Sequence, residues 1–185
     1  VLARAALESG LDVKWSESPV PALRGGAALS QVRMGREVLS PLVDAGGACA
    51  MVALEEIEAL RNAHLLRRGA VVALADRLVP TAGIRAGLDG PPGDVARRLE
   101  ARETRVVRVH AEAIAAELGD LGAAGAVLLG VLSPLLPISP GAWEAALAPG
   151  PGGLRPAWRE AFESGLLLAT RCPMPMRSRG DRVLG

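Results

Sequence analysis

Few side chains in this sequence are of types that could do chemistry, and they are widely spaced. Histidine occurs twice, at His64 and His110, and neither has a Ser, a Cys or a carboxylate at a recognisable catalytic spacing. His64 falls within a predicted helix, where a surface position is the commoner outcome. His110 ends a predicted strand, and functional residues commonly lie at that edge of an open α/β sheet. The sequence thus predicts no catalytic residue, and His110 is the better candidate for a functional contact.

The two cysteines give no metal or cluster motif. Cys49 and Cys172 are far apart, and no Cys-x-x-Cys pair occurs. Structural zinc and iron–sulfur clusters need several such ligands, so this chain is predicted to hold neither by itself. A disulfide between the two cysteines has no support, because nothing in the sequence signals secretion.

Loops that bind phosphorylated cofactors have recognisable glycine patterns, and these patterns are missing. There is no G-x-G-x-x-G and no G-x-x-x-x-G-K-[ST] sequence. The Gly-Asp-Gly signature with which thiamine enzymes hold magnesium is missing too, because Gly93 and Asp94 are followed by Val95. We therefore expect no cofactor, and in particular no thiamine diphosphate, to be bound by this chain alone.

The most informative loop follows a predicted strand that ends in Ser16 and Glu17. A proline-containing stretch comes next, and then Arg24 precedes Gly25 and Gly26. Two interpretations stay open. The glycines could let the backbone approach a ligand or a neighbouring chain closely, with Arg24 contacting an anion, or they could only satisfy a positive φ in a hairpin-entry loop.

Hydrophobic periodicity predicts the elements that would position these residues. A helix opens the chain and ends at Gly10, an alternating strand covers 11–17, and two short strands at 27–34 and 37–40 read as a hairpin. The continuous apolar run at 48–53 suits a central strand covered on both faces. A helix from Glu55 is expected to end at Gly69, and further strands are predicted at 71–75 and 105–109.

From residue 111 onward the pattern is helical. The predicted helices cover 111–118, 123–136, 140–147 and 156–168, and a possible short helix lies at 95–102. Strands alternating with helices, followed by helices alone, indicate an α/β three-layer domain with a mainly parallel or mixed central sheet and a helical C-terminal third. We expect one domain over 1–168 and a loosely ordered tail over 169–185.

Composition restricts the environment and the partners. The net charge is +1 and the arginines are scattered, so a nucleic-acid partner is not expected. The stretch 121–138 has eighteen uncharged residues, a borderline length for a membrane span. Its glycines and prolines favour a buried helix over a span. No signal peptide is visible, so a cytoplasmic protein without a membrane partner is expected.

An ordered set of short segments resembles a known family, the gamma domain of pyruvate and indolepyruvate:ferredoxin oxidoreductases, nearest to the indolepyruvate-type beta subunit. The resemblance covers roughly 1–166. The segments are Ser16-Glu17, Arg24-Gly25-Gly26, Ser30-x-Val32-Arg33-x-Gly35, Ser40-Pro41-Leu42, Ala53-Leu54-Glu55, Glu58-Ala59-Leu60-Arg61, Ala123-Ala124, Val127-Leu128-Leu129-Gly130, Leu135-Leu136-Pro137 and Trp143.

The resemblance implies a supporting role in a multi-subunit enzyme. Enzymes of this family decarboxylate a 2-oxoacid oxidatively to an acyl-coenzyme A and pass electrons to ferredoxin. Thiamine diphosphate, magnesium and the iron–sulfur clusters would be carried by a partner, the thiamine-bearing alpha subunit, through which ferredoxin is reached. Residues that would contact coenzyme A or the partner are Glu17, Arg24, Gly25, Gly26 and Ser30.

Two departures from the family leave an alternative open. The family begins with a strand and a G-x-G-G-Q-G loop, and this chain is expected to start after both. A His-Gly-Met-(Ala/Ser)-Gln stretch usually stands where this chain has residues 19–23. The alternative is therefore a noncatalytic, truncated assembly module that only binds a partner chain.

Overall fold

The computed structural model describes residues 1–18, 28–148 and 156–171. Five strands and eight α-helices lie in these ranges, with three short 3-10 turns at Ala63–Leu65, Leu121–Ala123 and Ser133–Leu135. The strands are β1 (Asp12–Glu17), β2 (Ser30–Gly35), β3 (Ala48–Ala53), β4 (Leu66–Ala75) and β5 (Arg105–Val109). The helices are α1 (Leu2–Glu8), α2 (Glu56–Arg61), α3 (Ala82–Arg85), α4 (Val95–Glu100), α5 (Ala111–Glu117), α6 (Ala124–Leu132), α7 (Pro140–Leu147) and α8 (Ala157–Arg171).

The main sheet has three parallel strands in the order β3-β4-β5. Successive side chains of β4 point to opposite faces, so Val71, Ala73 and Ala75 enter one core while Val72 and Leu74 enter the other. Helices α5, α6 and α8 contribute to the first core and α2 and α4 to the second. The predicted three-layer α/β architecture with a helical C-terminal third is confirmed.

Residues 48–53 form a strand as predicted, but the prediction that this strand lies at the centre of the sheet was wrong. The strand exists with the predicted bounds, but β3 lies at an edge of the described sheet and is mostly half-buried. The ten-residue β4 takes the centre because its last six residues are buried on both faces. A continuous apolar run indicates a strand, but it does not distinguish an edge from a centre.

The predicted hairpin at 27–40 was also wrong, because β2 finds its partner earlier in the chain. β1 and β2 pair antiparallel from Asp12 opposite Gly35 to Glu17 opposite Ser30. Residues 37–40 form no strand, and the N–H of Val38 donates instead to the carboxylate of Asp12 at 2.8 Å. A hydrogen bond from Lys14 and then the one from Val38 hold the pKa of Asp12 below its ordinary value.

Two glycines were predicted to end helices, and one of them does. Gly10 ends α1 with φ +74°, and the N–H of Leu11 donates back to the carbonyl of Ala6, which confirms the predicted helix end. Gly69 was predicted to end a helix but lies within β4, at φ +72°. The pairing of β3 with β4 shifts register here, and a positive φ suits such a bulge.

Helices α6 and α8 pack with their backbones almost in contact. A methyl carbon at Gly130 would overlap the carbonyl oxygen of Phe162, and one at Gly165 would overlap that of Val127. The centroid of the Phe162 ring lies 4.9 Å from that of the Trp143 ring on α7. The segment 121–138 thus contains the buried helix that the sequence favoured, but the helix is α6 alone, with a 3-10 turn on either side. Within the described ranges, no helix is long and apolar enough to cross a membrane.

Candidate functional site

Strands β1 and β2 form a two-stranded antiparallel ribbon. Its end at Glu17 and Ser30 holds two of the five residues predicted to contact coenzyme A or a partner. Glu17 lies opposite Ser30 in the last strand pair, and the N–H of Ser18 donates to the carbonyl of Leu29 at 2.8 Å. The cross-strand pairing thus fixes the two sides of the intervening loop. Arg24, Gly25 and Gly26 lie outside the described residues, so their assignment stays a prediction.

A shallow groove runs from this ribbon end along α1. Its volume is about 480 Å³. Glu17 and Ser30 line one end of it, and apolar side chains supply most of the rest. Trp15 is 58% exposed on the ribbon beside it. Strand alternation puts Trp15, Glu17, Ser30 and Val32 on one face of the ribbon, so the predicted polar pair adjoins an apolar surface.

A second group of side chains that could do chemistry lies where the parallel strands of the main sheet reach their C-terminal ends. We call this the carboxyl edge of the sheet. Asp76 follows β4 and His110 follows β5, directly after the paired residues Ala75 and Val109. The carboxylate of Asp76 lies 2.5 Å from Nδ1 of His110. The backbone N–H of Asp76 donates to the carbonyl oxygen of Val109. The imidazole is mostly exposed. Crevices outside the carboxyl ends of parallel strands are where α/β sheets bind ligands.

Ion pairs surround this Asp76–His110 pair and hold the loops of the edge in place. Arg77 pairs with Glu112 at 2.6 Å, and Arg108 donates to the nearly buried Glu56 at 2.6 Å. The hydrogen bond to Glu56 is the largest of the effects that raise the pKa of Arg108 above its ordinary value. Glu55 accepts from the N–H groups of Glu58 and Val79, which ties the loop after β4 to the start of α2.

Exposed apolar side chains occur at the same edge. Leu54 follows β3, and Leu78 and Val79 follow β4; each is between 41% and 49% exposed. The carboxyl edge therefore combines an oriented imidazole, paired charges and apolar surface. These are the components of a site that binds an organic ligand or meets another chain.

The sequence reasoning missed Asp76. No carboxylate lies at a recognisable catalytic spacing from either histidine, and the partner of His110 lies 34 residues earlier in the chain. The sequence indicated the ends of both strands but not that β4 and β5 are parallel neighbours, and this pairing brings Asp76 to His110. His64 is exposed, as predicted, with Nδ1 3.2 Å from the carbonyl of Arg61.

In the described ranges, no three His, Cys, Asp or Glu side chains are grouped so that they could hold a metal ion. Cys49 is a half-buried free thiol. The other cysteine of the chain, Cys172, lies outside the described residues.

Comparison with solved structures defines the class of fold. The structure is similar to the gamma subunit of keto/oxoacid ferredoxin oxidoreductase from Geobacter sulfurreducens, with a TM-score of 0.62, 22% identity, and 92% of this chain and 88% of that chain covered. It is also similar to a 2-oxoglutarate:ferredoxin oxidoreductase from Magnetococcus marinus, with a TM-score of 0.65 and 23% identity over 95% of this chain and 29% of that one. At these identities the likeness establishes the fold.

Sequence comparison gives the family. The chain belongs to the pyruvate ferredoxin/flavodoxin oxidoreductase family, whose sequence model matches residues 1–166. It is 37% identical over 134 residues to indolepyruvate oxidoreductase subunit IorB of Archaeoglobus fulgidus, covering 71% of this chain and 66% of that relative. The corresponding subunit of Thermococcus kodakarensis is 30% identical over 144 residues, covering 75% of this chain and 71% of the relative. The match with the Archaeoglobus subunit thus extends over about two thirds of that protein.

Proposed function

We propose that this chain is the non-thiamine subunit or domain of a 2-oxoacid:ferredoxin oxidoreductase of the indolepyruvate type. It would support the oxidative decarboxylation of a 2-oxoacid to an acyl-coenzyme A without a complete active site of its own. The observation that carries the proposal is the 37% identity to an indolepyruvate oxidoreductase subunit. The fold shared with a gamma subunit of a related enzyme supports it.

The partner in this proposal is a thiamine-bearing alpha subunit in the cytoplasm. It would carry thiamine diphosphate, magnesium and the iron–sulfur clusters, and it would pass electrons to ferredoxin. Coenzyme A would enter as a co-substrate, and a structural relative has been solved with coenzyme A bound. The contribution of this chain would be to complete the wall of the active site from the ribbon end and the carboxyl edge of the sheet.

Reconstitution with a candidate alpha subunit tests the proposal. We expect indolepyruvate-dependent reduction of methyl viologen to require this chain and coenzyme A. The alpha subunit alone and the alpha subunit mixed with an unrelated α/β domain serve as controls. A stable complex whose rate is the same with and without this chain would instead support the noncatalytic assembly module.

Within that proposal, Arg24→Ala tests the ribbon-end contact. A hydrogen bond between an arginine and an anion contributes about 1.5 to 3 kcal/mol, so we expect the apparent affinity for coenzyme A or for the alpha subunit to fall at least ~10-fold. Titration of the reconstituted enzyme with coenzyme A and a pull-down of the complex measure the two affinities. Arg36→Ala is the matched control, because Arg36 is an exposed arginine at the opposite end of the ribbon. Unchanged affinities for both would contradict the assignment of Arg24.

A further inference from the structure

The arrangement at the carboxyl edge leaves one nitrogen of His110 available as a base. A neutral imidazole that donates its Nδ1 hydrogen to Asp76, 2.5 Å away, has its lone pair on Nε2. The carboxylate orients the ring and fixes the tautomer in which Nε2 can accept a proton. Because the His110 side chain is 82% exposed, a second molecule can reach this nitrogen.

Structural stability does not account for the pair. The His110 side chain makes no capping hydrogen bond at the start of α5, and an exposed ion pair adds little to stability. The neighbouring charges have other partners, since Arg77 pairs with Glu112 and Arg108 with Glu56. Of the two histidines in the chain, His64 makes its Nδ1 contact with a backbone carbonyl instead of a carboxylate. His110 is therefore distinguished by its carboxylate, its exposure and its place at the edge of the sheet.

We propose that His110 accepts the proton of the coenzyme A thiol, with Asp76 as its positioning residue, once a partner subunit closes this edge. The inference rests on the proposed function. In that reaction the S–H bond of the thiol breaks and sulfur bonds to the acyl carbon derived from the 2-oxoacid. The two electrons leave to ferredoxin, and the proton passes to Nε2 and then to solvent. A thiol is a poor nucleophile until it loses this proton, so a base at this position accelerates the thiol-dependent step alone.

The test uses the reconstituted enzyme with indolepyruvate and coenzyme A. His110→Ala is expected to lower kcat for thioester formation about 10²-fold or more, since general-base catalysis typically contributes roughly 10²- to 10⁴-fold. Carbon dioxide release from indolepyruvate in a single turnover without coenzyme A should stay at the wild-type rate. Imidazole added to the buffer should restore part of the thioester rate, because it can occupy the space that the missing ring leaves beside Asp76. Asp76→Asn should lower the same step by a smaller factor.

His64→Ala is the matched control and should change neither step, with or without imidazole. Thioester formation by His110→Ala at the wild-type rate would overturn the inference and leave the proposed function intact. Equal losses in both steps without imidazole rescue would also overturn it, because they indicate a structural role. A wild-type complex that releases no carbon dioxide from indolepyruvate would remove the proposed function, and this inference with it.

Discussion

Gly165→Ala is expected to lower the free energy of unfolding by about 3 kcal/mol or more, the upper end of the range for overpacked cores. An added methyl group would overlap the carbonyl oxygen of Val127 and lie 3.1 Å from the nitrogen of Val131. Both atoms belong to the backbone of α6, so no side chain can turn aside to make room. The helices would have to separate. Gly130→Ala should act similarly, because its methyl group would meet the backbone of Phe162 and Leu166.

Gly125→Ala provides the matched control on α6. No heavy atom lies within 4 Å of the position that its methyl carbon would take, and alanine favours a helix over glycine by about 1 kcal/mol. This variant should be as stable as the wild type or more stable. Urea unfolding followed by circular dichroism measures all three variants. If Gly165→Ala unfolded at the wild-type urea concentration, the close approach of α6 and α8 would be incorrect.

Leu74→Ala is expected to lower the free energy of unfolding by roughly 2 to 5 kcal/mol, as for other fully buried leucines. Leu74 is 0% exposed and enters the smaller core between β4 and the helices α2 and α4. Many of its core neighbours are alanines, whose short side chains cannot move in to fill the cavity. The loss should therefore lie in the upper half of this range. The thermal midpoint and the urea midpoint both measure it.

Leu39→Ala is the control for this prediction, because Leu39 is 89% exposed and loses little packing when it is truncated. Its effect should stay within about 0.5 kcal/mol. A Leu74→Ala protein that stays folded but keeps wild-type stability would show that the second core is not packed as described.

Local pattern was sufficient to locate most elements. The bounds of β3, β5 and α7 agree with the sequence prediction residue for residue. A continuous apolar run marks β3, three valines mark β5, and a proline after a serine N-cap marks α7. The end of α1 at Gly10 was found for the same reason. Each of these signals depends on residues only a few positions apart.

The errors concern pairings between distant residues. Nothing in 27–40 indicates that β2 will pair with β1 instead of with the residues after Gly35, because either partner satisfies an alternating strand. The contact of Asp76 with His110 required the neighbour relation of β4 and β5, which no spacing encodes. The backbone contact at Gly130 and Gly165 likewise depends on how two helices cross. Glu17 and Ser30 were selected by resemblance, and the register of the ribbon places them together.

The paired residues Glu17 and Ser30 have an implication for how this protein can change over evolution. The cross-strand pairs hold the two ends of the following loop at a fixed separation, whatever residues lie between Ser18 and Leu29. Lengthening a closed loop adds only about 0.6 kcal/mol for each doubling of its length. The sequence between Ser18 and Leu29 can therefore change in length at little cost in stability, while the sheet, the two cores and the carboxyl edge stay unchanged.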